Sequence, residues 1–184
     1  EALCQRVVTR DEAASDLLVG RYQERAYRLA WTILRDAEEA RDLSQEAFIS
    51  LYQTASRFDG RSRFSTWFYR ILVNLCLDHR RKYQWWRRVL TRARPGEEPD
   101  DSIIERQPTP SQDPVDEIGK EQAMKQLWAA VERLSAQQRA AVRLQVQEGL
   151  LTGEIAAVLK CSEATVRVHL HRALTALRKT MRKG

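Results

Sequence analysis

Apolar positions along this chain recur at helical spacing, and no run alternates in the way a strand requires. Tyr22, Ala26, Leu29, Ala30 and Ile33 fall on one side of a first helix. "DAEE" then offers Asp36 as an N-cap with Glu39 three residues on, a start resembling a capping box. The helix it opens carries Ala40, Leu43, Ala47, Phe48 and Leu51 on one face and Glu38, Asp42, Gln45 and Glu46 on the other. "FDGR" reads as a turn, with Gly60 supplying the backbone freedom. Ser62 or Ser65 caps the next helix, which has Trp67, Phe68, Ile71, Leu72 and Leu75 on its apolar face. Thr66, Arg70, Asn74 and Asp78, each four apart, make a polar strip along it.

The pattern resumes near the C-terminus. Leu127, Trp128, Val131 and Leu134 mark one helix. Ser135 and Gln138 form a second capping box, opening a helix that runs to Gly149, a suitable C′ residue. A short helix begins at Thr152, and "KCS" makes a tight turn. Ser162 caps a last helix with Val166, Leu170, Ala173, Leu174, Leu177 and Met181 inside. A short helix, a tight turn and a longer basic helix is the helix-turn-helix pattern. The fold class predicted is all-α.

Between the two halves the periodicity stops. All five prolines fall between Pro95 and Pro114, in a polar, acidic stretch with too little apolar surface to fold alone. The chain therefore divides into a domain over 1–92, a flexible linker over 93–116 and a second domain over 117–184.

Charge sharpens this organisation. The net charge is only +6, but it is unevenly placed. His79 to Arg94 holds seven Lys+Arg and no acid; Glu97 to Glu117 holds eight acids; after Glu163 six more Lys+Arg follow with no acid. Two separated basic blocks suggest two contacts with a polyanion, whereas ordinary solvated helix faces mix both signs. On the last helix the face opposite the apolar one shows Val168, His171, Arg172, Thr175, Lys179 and Arg182. Val168 is the exception there, and a methyl group that meets a thymine methyl in the major groove accounts for it. Arg167 and His171 flank it, and Thr165 at the helix start suits a phosphate. His169 and His171, two apart, point in different directions and make a poor metal pair.

The stretch "RFDGRSRFSTWFYRI", 57–71, puts five rings among four arginines. Most of the rings suit a core. Arg61, Arg63, Tyr69, Arg70 and Asn74 form the expected exposed remainder, able to hold an unstacked base and its backbone.

"DLSQEAFISLYQ", then "FDGRSRFSTWFYRILVNLCLDHRR", a linker, and "LSAQQRAAVRLQVQEGLLTGEIAAVLKCSEATVRVHLHRALTALR" together resemble a group 4, extracytoplasmic-function (ECF), sigma factor over nearly the whole chain. The resemblance implies a promoter-specificity subunit of bacterial RNA polymerase. Its region 2 and region 4 bundles would be joined by a linker that threads the RNA channel of the enzyme, where its negative charge imitates a transcript. Asp42, Gln45 and Glu46 would dock on the β′ clamp helices, and region 4 on the β flap. The segment from Phe58 through Asn74, with Arg61, Arg63, Tyr69, Arg70 and Asn74, would capture the melted −10 strand. Arg80, Arg81 and Lys82 would meet the duplex just upstream. Thr165, Arg167, Val168, His171 and Arg172 would read the −35 element. The family is usually held inactive by an anti-sigma factor; this chain shows no self-inhibiting segment, so such a partner is expected.

Three departures from the family pattern stand out. Leu134-Ser135 replaces a common Leu-Pro, Lys160 stands where glycine is frequent, and "RVH" replaces a common Lys-Ser-Arg in the recognition helix, which bears on the preferred −35 sequence. The alternative reading is a stand-alone helix-turn-helix regulator, which needs neither the "DLSQE" face nor the ring-rich basic segment. No triad, metal-ligand cluster or glycine-rich phosphate loop points to an enzyme, and no cofactor is implied. Cys4, Cys76 and Cys161 fit neither a disulfide framework nor a zinc site. With no signal peptide and no membrane span in the sequence, a cytoplasmic setting is expected.

Overall fold

The computed structural model describes residues 11–92, 131 and 133–181, and they fold into helices joined by short turns. Among the described residues the α-helices are α1 Glu12–Leu34, α2 Ala37–Thr54, α3 Phe64–Arg92, α4 Ala136–Val146, α5 Thr152–Leu159 and α6 Glu163–Met181, with a 3-10 turn at Ala55–Arg57 after α2. The linker and the expected helix residues Leu127 and Trp128 lie outside the described residues.

Local chemistry sets most of the helix ends. The Asp11 carboxylate accepts the Ala14 N–H at 3.1 Å to start α1. Asp36 accepts the N–H groups of Glu38 and Glu39 at 2.9 and 3.0 Å to start α2. The reciprocal half of that box is not made: the Glu39 carboxylate lies 3.5 Å from His79 Nδ1 on α3 instead. Ser135 and Gln138 do complete their box, at 3.0 and 3.3 Å. Ser162 accepts the Thr165 N–H at 3.1 Å at the head of α6. Neither Ser62 nor Ser65 caps α3; Arg63 holds that position, its carbonyl accepting the Trp67 N–H at 3.1 Å. α4 ends at Val146, before Gly149, whose φ of 65° lets the chain turn so that Leu150 N–H reaches the Leu144 carbonyl at 3.0 Å.

The first three helices pack on one another and bury the rings of the ring-rich stretch. Phe68 sits at the centre, 4.9 Å from Phe48 and 5.6 Å from Tyr22 between ring centroids. Phe64, Trp67, Leu72, Val73 and Cys76 are buried with it. Burying one such side chain stabilises by roughly 1.5–3 kcal/mol, so this cluster dominates region 57–76. Val166, Leu170 and Ala173 of α6 are buried as the spacing requires, but Leu174 is not. It stands on the flank of the helix, beyond the strip that α4 and α5 cover.

The two halves also touch. α1 packs against α4 and α3 against α5, and the buried side chains of both halves belong to one continuous cluster.

Candidate nucleic-acid interface

The outer face of α6 is assembled as the sequence implies. Arg167, Val168, His171 and Arg172 are exposed, Val168 with 46% of its surface free although it is apolar. Thr165 sits half-buried in the first turn, its hydroxyl 2.9 Å from that of Ser162. The Arg167 guanidinium donates to Glu163 at 2.9 Å one turn back, which fixes its stem but leaves its head at the surface. His169 turns inward; burial first, then the Arg172 charge, hold its pKa below the ordinary histidine value. Among the described residues no three His, Cys, Asp or Glu side chains gather to hold a metal ion.

A second surface lies at the start of α3. Gly60, at φ 72°, turns the chain, and Asp59 accepts the Arg61 N–H at 3.1 Å, leaving the Arg61 side chain 89% exposed. Arg63 and Arg70 are exposed, and Asn74 is half-buried with its amide donating to the Arg70 carbonyl of its own helix. Arg81 is exposed and paired with Asp78; Arg80 is half-buried, with Nη1 3.4 Å from the Ile33 carbonyl.

Tyr69 departs from expectation. The sequence pattern places it with the exposed residues, yet it is completely buried, its hydroxyl donating to Glu148 of the other half. Thr66, expected on a polar strip open to water, is also buried and donates to Glu154 at 3.1 Å. Both are covered because the C-terminal half rests on this part of α3, a contact across some eighty positions of sequence.

The third surface is the outer side of α2, where Asp42, Gln45 and Glu46 are exposed opposite buried Leu43 and Ala47. Past Asp78, α3 runs beyond the core. Its end exposes Tyr83, Trp85 and Trp86 next to Arg87 and Arg88, a mixture of rings and charge suited to nucleic acid.

The described residues form two packed helical halves, the second ending in a helix-turn-helix whose outer face is basic. Residues 18–87 match the family model for sigma-70 region 2, and residues 124–177 that for sigma-70 region 4. The RNA polymerase sigma-H factor of Pseudomonas aeruginosa is 31% identical, with 98% of this chain and 93% of that protein aligned. The ECF RNA polymerase sigma-E factor of Escherichia coli K12 is 30% identical over 96% of this chain and 91% of its own length. Two solved structures share the fold. They are CnrH in complex with the cytosolic domain of CnrY (TM-score 0.67, 18% identity, 99% of this chain and 96% of that one) and the Bartonella quintana sigma factor RpoE with the anti-sigma factor NepR (TM-score 0.68, 20% identity, 91% and 96%). The chain belongs to the ECF sigma factors of bacterial RNA polymerase, which are transcription initiation factors and not enzymes. The stand-alone regulator reading falls with the match to region 2.

Residues that the sequence did not single out are those joining the halves. Arg139 is buried and donates to the carbonyls of Thr32 at 2.7 Å, Ile33 at 3.0 Å and Leu134 at 2.5 Å. Glu148, with its side chain 4% exposed, meets Tyr69 and lies 3.9 Å from Arg25. Glu154 meets Thr66 and lies 3.7 Å from Arg63. One signal was available for Arg139: it stands between Ala136 and Ala140, on the face that must be buried.

Proposed function

We propose that this sigma factor docks on core polymerase through Asp42, Gln45 and Glu46, reads the −35 duplex with α6 and holds the melted −10 strand at the start of α3. Thr165 and the backbone at the head of α6 position a phosphate; Arg167, Val168, His171 and Arg172 face the base edges and backbone of the major groove. Arg61, Arg63, Arg70 and Asn74 surround the turn at Gly60, where guanidinium groups meet phosphate and a side-chain amide meets a base edge. Tyr69 belongs to this set only once region 4 has moved away. Arg80 and Arg81 extend the basic surface toward the duplex. The domains so used are 1–92 and 117–184, joined by the acidic, Pro-rich linker 93–116.

The observation that carries this reading is the exposed Val168, set among Arg167, His171 and Arg172 on the outer face of a helix that buries Val166, Leu170 and Ala173. A methyl group held out among Arg167, His171 and Arg172 has no packing role and suits a groove.

Regulation by an anti-sigma factor is supported by the company the fold keeps, since the Bartonella quintana sigma factor RpoE, of this architecture, was captured with the anti-sigma factor NepR. The chain acts in the compartment where RNA polymerase and promoter DNA are found, the cytoplasm.

Run-off transcription with bacterial core polymerase on a pool of promoter fragments tests the proposal. Specific initiation is expected with the wild-type chain and its loss with Gln45→Ala/Glu46→Ala. Initiation unaffected by that pair would remove the assigned docking face; no initiation at all would remove the functional reading.

A further inference from the structure

We infer that the far end of α3 is a membrane-surface anchor: residues 81–90 lie flat on a bilayer that carries anionic phospholipid, with rings and aliphatic side chains in the headgroup boundary and arginines at the phosphates. This adds a lipid-bound location to the promoter-binding role and does not draw on the surfaces assigned to that role at α6 or at the start of α3.

The apolar side chains of α3 from Phe64 to Cys76 are packed in the core. Residues 81–90 continue the same helix for about 15 Å at 1.5 Å per residue. Their apolar side chains face water instead: Tyr83, Trp85, Trp86, Val89 and Leu90 are all exposed, Leu90 to 65%. Trp85 and Trp86 touch edge to face, with ring centroids 4.9 Å apart, and so form one aromatic knob. At 100° per residue, Trp85, Val89, Trp86, Leu90 and Tyr83 follow one another within an arc of roughly 160°. The rest of the circumference carries Arg81, Gln84, Arg87 and Arg88. Lys82 falls inside the apolar arc, where its four-carbon stem lets the ammonium reach outward. From His79 to Arg94 there are seven Lys+Arg and no acid; Asp78, just before, pairs with Arg81.

Exposed single apolar residues need no explanation, but five on one arc of one short stretch do. Separation of a ring-rich apolar arc from a cationic one is the pattern of a helix that lies in a membrane interface. Trp and Tyr favour that depth, and the cations are drawn to anionic headgroups. Nucleic acid would use the rings and the arginines but requires them side by side along one groove, and it offers nothing to Val89 and Leu90 on the side away from the arginines. A second copy of the chain would bring two such cation-rich stretches together with no acid between His79 and Arg94 to offset them. Among the described residues no helix is long and apolar enough to cross a membrane, so the contact is one of lying on the surface.

The test is sedimentation of the full chain with vesicles of phosphatidylcholine alone and of equal parts phosphatidylcholine and phosphatidylglycerol. The chain is expected to bind the mixed vesicles at least tenfold more tightly than the neutral ones, and less tightly as salt is raised. Val89→Gln/Leu90→Gln replaces two exposed side chains by good helix formers, and circular dichroism should show the helix content kept. It should weaken vesicle binding at least tenfold while run-off transcription stays at the wild-type level. Acyl chains brominated near the headgroup should quench the tryptophan fluorescence of the wild-type chain, a readout that needs no variant. Absence of binding to the mixed vesicles, equal binding to both kinds, or no quenching overturns the inference. So does a variant that loses run-off initiation but still binds vesicles, since the face then serves nucleic acid or the polymerase. Vesicle binding is measured without DNA or polymerase, so failure of the docking and promoter contacts proposed above is recognised separately, by run-off transcription alone.

Discussion

Lys160 shows what a single residue costs. Its φ of 53° is left-handed, the conformation in which a Cβ crowds the backbone, and it closes α5 just before the helix-turn-helix turn. Lys160→Gly relieves that strain but gains entropy in the unfolded chain, so a net stabilisation of about 0.5–1 kcal/mol is expected in urea unfolding. Cys76 gives a pH test. Burial pushes its thiol up to about 12 from an unfolded value of 9.0. The folded state therefore keeps its proton where the unfolded state loses it. This contribution is constant below pH 9 and is lost progressively between about 9 and 12. Unfolding at pH 8 and pH 10.5 should show the fall, and Cys76→Ala should flatten it despite lowering overall stability by the cavity it leaves. Thiol reagents at pH 8 should modify half-buried Cys161 before Cys76.

At the scale of elements, caps decide where helices begin. Ser135 supplies what a proline start supplies elsewhere in the family. It does so with a hydroxyl that accepts the Gln138 N–H while the Gln138 amide oxygen accepts the Ser135 N–H. Ser135→Ala should cost about 1 kcal/mol in thermal or urea unfolding. The elements themselves were legible from the chain. Asp36, Ser135 and Ser162 announce α2, α4 and α6 through side-chain chemistry within four residues, and the spacing of Leu43, Ala47 and Leu51 fixes which face of α2 is left exposed. The start of α3 was less legible because its cap position is held by Arg63, which has no acceptor in its side chain. The acid beside that turn comes from α5.

For the whole molecule the contact between halves is the main variable. Burial first, then Glu148, hold the Tyr69 hydroxyl well above the ordinary phenol range. Tyr22, Arg25 and Glu148 act on it there, and Arg143, its guanidinium also partly desolvated, lies in the same electrostatic cluster. A raised phenol favours the folded state fully below pH 10 and progressively less above it. Stability in urea unfolding should therefore fall as pH rises beyond 10, and Tyr69→Phe should remove that dependence while keeping the ring packed. DNA contacts belong to this scale too. Arg172→Ala should weaken binding to promoter duplexes, with a shallower salt dependence where it meets phosphate; Val168→Ala should instead change preference among −35 sequences at one position, by about 1–3 kcal/mol at most.

By itself the sequence determined the helices, the starting residues Asp36, Ser135 and Ser162 that cap α2, α4 and α6, the two-part organisation, the exposed residues of α2 and α6 and the family. These follow from periodicity and charge within a few turns of helix, which is the range over which side chains of one segment act on each other. Only the tertiary structure decided that Tyr69 and Thr66 are buried, that Arg139 caps α1, and that Glu148 and Glu154 meet the start of α3. Those facts depend on groups 79 to 107 positions apart in the chain, and such separations carry no periodic signal. A polar side chain reads the same in sequence whether it meets water, DNA or a carboxylate folded back from the other half.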